Sequence, residues 1–84
     1  MFLKGKTALI TGSTSGIGLG YARALAAEGG SVMINGFGDA AEIQGYVGEL
    51  IRTSNAGALH SGADMTKPEE IRAMVADCTA KLGA

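Results

Sequence analysis

Thr7-Ala8-Leu9-Ile10-Thr11-Gly12-Ser13-Thr14-Ser15-Gly16-Ile17-Gly18 changes its period part-way along. Residues 7–10 form a short apolar run closed by a glycine, the pattern of a strand buried in a parallel sheet. From Ile17 onward the apolar residues recur at helical spacing. Ile17, Tyr21, Ala24 and Leu25 share a face, and Ala22, Ala26 and Ala27 favour helix. Gly29-Gly30 stops the run. A strand therefore passes through glycines 12, 16 and 18 directly into a helix.

The same alternation repeats twice downstream. Ser31-Val32-Met33-Ile34-Asn35 reads as a second strand, ended by Gly36-Phe37-Gly38. Asp39 is placed as an N-cap with Glu42 answering it as in a capping box, and Ile43, Val47, Leu50 and Ile51 form an apolar stripe. Ser54-Asn55-Ala56-Gly57 reads as a helix-ending turn. Ala58 to Ala63 is a weaker third strand. Thr66 and Glu69 suggest another capping box with Pro68 in the first turn, and Ile71, Met74, Val75, Cys78 and Leu82 supply the last apolar face. The order β-α-β-α-β-α predicts an α/β fold. Right-handed crossovers make it the N-terminal part of a Rossmann-type doubly wound parallel sheet in three αβα layers.

Composition narrows the function. Seven Lys and Arg balance eight Asp and Glu, no basic patch stands out and Trp is absent, which argues against a nucleic-acid partner. One cysteine excludes an internal disulfide framework and, with one histidine, gives no metal-site spacing. No signal peptide and no run near the ~20 apolar residues of a membrane span is seen, so no membrane partner and a cytoplasmic location are expected. His60 reads as a strand or surface residue, Cys78 as a core thiol, and Glu42, Glu69 and Glu70 as helix-start acids.

The glycine-rich turn points to an anion. A helix N-terminus carries unpaired N–H groups and about half a positive charge, which a pyrophosphate satisfies together. Gly12 suits the tight turn out of the strand, Gly16 the close approach of backbone to phosphate, and Gly18 the packing of helix on sheet. Ser13, Thr14 and Ser15 add hydroxyl donors. Placed between first strand and first helix, the motif predicts dinucleotide binding. After the second strand, where an acid would bond the ribose or a base a 2′-phosphate, stand Gly36 and Phe37, and Ser15 is not basic either. No cation is offered to a 2′-phosphate, so the expected cofactor is NAD. Phe37 is open between a contact with adenosine and a core or loop aromatic. Asp64, before Thr66, reads on its own as a turn residue.

Thr11-Gly12-x-x-x-Gly16-x-Gly18 resembles the cofactor signature of the short-chain dehydrogenases/reductases, whose glycine spacing differs from the Gly-x-Gly-x-x-Gly of other Rossmann dehydrogenases. Gly12 to Gly20, Asn35 to Ile43, and Gly62-Ala63-Asp64-Met65 with Lys67 to Ile71 resemble members that interconvert a small hydroxy acid and its keto acid. The resemblance implies that Gly12, Ser13, Thr14, Ser15, Gly16, Ile17 and Gly18 hold the pyrophosphate side and that Phe37 lies against the adenosine. It implies that Asp64 accepts from the adenine amino group while Met65 lines the ring, with Ala63 also among the cofactor-binding residues. It implies a homotetramer for the longer parent. The family's chemistry uses Asn, Ser, Tyr and Lys, the last two as Tyr-x-x-x-Lys, in which the Lys lowers the pKa of a phenol that ordinarily titrates near 10. Tyr21 is followed four residues on by Leu25 and Tyr46 by Leu50, so no catalytic residue is placed in this chain. Residues 1–84 are thus expected to be a partial dinucleotide-binding domain, cut before a fourth strand and inactive alone. Within the family the alternative is a reductase of 3-oxoacyl thioesters; outside it, a stand-alone dinucleotide-binding module without chemistry.

Overall fold

Three apolar runs become three parallel strands in the computed structural model, which describes residues 3–12 and 16–83. The elements are β1 (Thr7–Ile10), α1 (Gly16–Ala27), β2 (Ser31–Asn35), α2 (Ala40–Ser54), β3 (Ala58–Ser61) and α3 (Pro68–Leu82). The strand order is β1-β2-β3, with Ile10 opposite Ile34 and Asn35 opposite Ser61. The central strand β2 is the most buried: Val32, Met33 and Ile34 are fully covered.

Alternate residues of β2 point to opposite faces, and each face has its own core. Val32 and Ile34 pack with Ala58, with Ala22 and Ala26 of α1, and with Ile43 and Leu50 of α2. Met33 packs with Met74 and Cys78 of α3, joined by Leu9, Leu59 and Leu82. Two helices on one face and one on the other make the expected αβα layering. Burial raises the pKa of the Cys78 thiol, in keeping with a core role. Among the described residues, no helix is long and apolar enough to cross a membrane.

Caps explain where α2 begins and ends. Asp39 Oδ2 accepts from the Glu42 N–H at 3.0 Å, as expected of an N-cap. Asn55 adopts the left-handed conformation (φ 54°) and donates its N–H to Ile51 O, closing the last turn where the 54–57 stop was expected.

Other expectations need correction. On α1 the buried residues are Leu19, Ala22 and Ala26, while Ile17 is 80% and Tyr21 63% exposed, and Ala24 is exposed too. The alanines let the helix lie close on β2, so the face with small side chains turns inward. Val75 of α3 and Ile51 of α2 are likewise exposed beside stripes that are otherwise buried or half-buried. The capping box at Thr66 does not form. The N-cap of α3 is Lys67, without a side-chain cap bond, and Pro68 opens the helix. Thr66 is taken by Asp64 instead: its N–H and hydroxyl both donate to Asp64 Oδ1, at 2.9 and 2.7 Å. The third strand also stops at Ser61, two residues before Ala63.

Arg23 of α1 and Glu49 of α2 form a two-pronged ion pair, with Nε to Oε2 at 2.8 Å and Nη2 to Oε1 at 3.1 Å. The guanidinium also lies over the Tyr46 ring, 5.7 Å from its centre. The hydrogen bond from Arg23 holds the Glu49 carboxyl below its ordinary value, against the opposing effect of burial. A lowered folded-state pKa gives stabilisation that is full above the unfolded-state value and is lost as pH falls through the folded one. Arg23→Gln should therefore melt below the parent chain near neutral pH and converge with it on acidification below the carboxylate range. Thermal melts at about pH 7 and about pH 3 check this, and the gap should be small because the pair is solvent-exposed.

Candidate functional site

Parallel strands in register send their exits to one edge. The loops after β1, β2 and β3 therefore gather at the carboxyl end of the sheet, where open α/β sheets bind ligands. The described residues expected to bind the dinucleotide lie in these loops or in the first turn of α1.

The first loop joins β1 to α1. Gly12 (φ 60°) and Gly16 (φ 59°) both occupy the left-handed region. A β-carbon built on either would meet no described atom within 4 Å. Among the described residues packing makes no demand for glycine at these positions; the backbone conformation does. Ile17 is exposed and Gly18 half-buried at the start of the helix. Ser13, Thr14 and Ser15, the expected hydroxyl donors, lie outside the described residues.

The three helices differ in what stands at their N-termini. α2 opens with Asp39 as cap and Glu42 in its first turn, and α3 carries Glu69 and Glu70 there. The first turn of α1 holds no acid. Carboxylates thus stand in the first turns of α2 and α3, and none stands in that of α1.

The second and third loops are tied together by a residue that sequence reasoning passed over. Asn35, only 2% exposed, donates through Nδ2 to both Ser61 O and Ala63 O at 3.1 Å. A polar amide closing an apolar strand was the available signal, since a buried amide must find partners. The clamp fixes Ala63 and with it Asp64. The Asp64 N–H donates to Glu70 Oε1 at 2.9 Å, which anchors the loop to α3. Hydrogen bonds from the Thr66 N–H and then its hydroxyl hold the Asp64 carboxyl below its ordinary value, so it stands ionised as an acceptor. Asp64 is therefore a turn residue in its geometry, at the ligand edge of the sheet. Met65 is partly exposed beside it.

Phe37 projects from the second loop and is 71% exposed. With Gly36, Gly38, Ile43, His60 and Gly62 it lines a largely apolar cavity of about 250 Å³. Phe37 is accordingly no core aromatic. His60, read as a strand or surface residue, is half-buried on β3 with its ring turned to Gly36.

A family model described as short chain dehydrogenase matches residues 6–84. The chain belongs to the short-chain dehydrogenase family. It is 55% identical over 75 residues to the D-beta-hydroxybutyrate dehydrogenase of Rhizobium meliloti strain 1021, covering 86% of this chain and 29% of that protein. It is 51% identical over 73 residues to the D-beta-hydroxybutyrate dehydrogenase of Cupriavidus necator, covering 87% and 28%. The chain thus spans less than a third of the length of these curated relatives. An L-sorbose reductase from Gluconobacter frateurii, solved with NADPH and L-sorbose, superposes with a TM-score of 0.85 at 30% identity, covering 100% of this chain and 32% of that one. A short-chain dehydrogenase's nicotinamide dinucleotide fits this end of the sheet on physical grounds: two left-handed glycines stand at a helix end without an acid in its first turn.

Proposed function

We propose that this chain holds the NAD of a short-chain dehydrogenase whose whole protein interconverts (R)-3-hydroxybutyrate and acetoacetate. The carrying observation is the acid-free N-terminus of α1 behind two left-handed glycines. Gly12, Gly16 and Gly18 let the backbone meet the pyrophosphate, with Ser13, Thr14 and Ser15 as hydroxyl donors and Ile17 beside them. Phe37 lies against the adenosine. Asp64 accepts from the adenine amino group, and Ala63 and Met65 line the ring. Bound there, the dinucleotide supplies a nicotinamide ring that accepts hydride from the hydroxyl-bearing carbon.

The two hydroxybutyrate dehydrogenases, both above 50% identity, support this substrate. The choice of NAD is supported by charge. Residues 36–44 contain Asp39 and Glu42 and neither Lys nor Arg, so a 2′-phosphate brought to this turn would meet acids alone. No Tyr-x-x-x-Lys occurs in residues 1–84, so the chain alone should bind without turnover. Calorimetric titration is expected to give saturable NAD binding and NADP binding at least about tenfold weaker, a difference of ~1.4 kcal/mol. Equal or tighter NADP binding would reverse the cofactor assignment, and hydride transfer to NAD by the pure chain would reverse the expectation of inactivity.

A further inference from the structure

We propose that His60 is a positioning residue for the adenosine half of the ligand, acting by bracing the turn 36–38 that carries Phe37. The proposal rests on the dinucleotide reading of the site.

His60 stands opposite Ile34 in the ladder, on the face where Ala58 and Ile34 belong to the core. An apolar residue would simply extend that core. The imidazole instead reaches the exit of the neighbouring strand, with Nε2 2.8 Å from Gly36 O. A carbonyl can only accept, so Nε2 carries the proton and donates. The other tie between Gly36 and β3, from its N–H to Ser61 O, is 3.4 Å long and weaker. The turn itself holds little conformational preference, since Gly36 (φ 152°) and Gly38 (φ 157°) bracket Phe37 in a region that favours glycine. Fixing such a segment costs more backbone entropy than fixing ordinary residues, so a side-chain brace decides which arrangement persists. The ring also lies beside the third loop: a β-carbon at Gly62 would stand 3.9 Å from His60 Cε1. His60 thus forms the wall of the cavity between two ligand-edge loops, with Phe37 at its rim.

The test titrates the 84-residue chain with ADP, which needs both the pyrophosphate cradle and the adenosine side, and with inorganic pyrophosphate, which needs only the cradle. His60→Leu is expected to weaken ADP about five- to tenfold, the worth of one lost hydrogen bond, and pyrophosphate less than about twofold. His60→Gln, whose amide can donate to the same carbonyl, should keep ADP within about threefold. Unchanged ADP affinity in the leucine variant overturns the proposal, as does equal weakening of both ligands, which would mark a merely structural role. If the leucine variant loses its cooperative melt, His60→Phe, a ring without the donor, replaces it under the same criteria. A parent chain that binds neither ligand overturns the dinucleotide reading itself; one that binds both while every variant matches it overturns only the role of His60.

Discussion

Gly16→Val is expected to abolish measurable NAD binding while Gly45→Ala leaves it intact. A β-carbon on either glycine meets no described atom within 4 Å. They differ in backbone. Gly16 sits at φ 59°, where a β-branched side chain meets its own carbonyl and costs on the order of 2 kcal/mol or more. Valine must then either pull the first turn of α1 out of shape or thrust its methyls into the space proposed for the pyrophosphate. Either outcome removes the close approach on which an anion at a helix end depends. Gly45 lies inside α2, and alanine there should add about 0.5–1 kcal/mol of stability through helix propensity alone. Titration of both variants with NAD, beside their thermal melts, separates the effects. The valine variant should show at least about a hundredfold loss of affinity, ~2.7 kcal/mol. The alanine variant should melt higher and bind as the parent does. Parent-like NAD affinity in the valine variant would remove the first loop from the site.

Element order was readable because each segment carries its own period and punctuation. Val32-Met33-Ile34 has no alternation, as a strand covered on both faces must not, and Asp39 and Asn55 mark the ends of α2 by chemistry that works locally. What could not be read was the choice between equivalent local options. The sequence of α1 offers two stripes, 17/21/24/25 and 19/22/26, and only the sheet behind it decides which faces inward. Thr66 had two local uses, capping a helix or donating to Asp64, and the loop's own turn won. Long-range ties leave the faintest trace in sequence. The bonds from Asn35 to Ser61 and Ala63 and from His60 to Gly36 each join residues more than twenty positions apart. The left-handed backbone at Gly12 and Gly16 was legible for the opposite reason, since its cause is confined to one turn.

Asn35→Leu and Asn35→Asp are expected to unfold the carboxyl edge of the sheet to different degrees. Leucine keeps the branch at Cγ, with more bulk, but takes the amide donor from the Ala63 carbonyl and, among the described residues, leaves Ser61 O the long bond from the Gly36 N–H. Losing these donors in a buried setting should destabilise by about 2–4 kcal/mol. Aspartate keeps the shape of the side chain but turns a donor into an acceptor, so its carboxylate would face two carbonyl oxygens in a site 2% exposed. That repulsion makes the aspartate variant the less stable of the two at neutral pH, enough to exhaust the ~5 kcal/mol typical of a small domain. The carboxyl can relieve it by protonating, because an O–H donates where the amide did, so its folded-state pKa rises above the unfolded value. The sign of the pH dependence follows. The variant retains its stability below the unfolded-state carboxylate pKa, near 4, and loses it as pH rises through the elevated folded-state value. Denaturant melts from about pH 3 to about pH 8 should show the aspartate variant falling steadily while the leucine variant runs parallel to the parent. In both, exchange of the Asp64 amide should accelerate, because the loop it anchors has lost its clamp. A parallel pH profile for the aspartate variant, with Asp64 exchange unchanged, would mean that the tie between the second and third loops is made by other groups than Asn35.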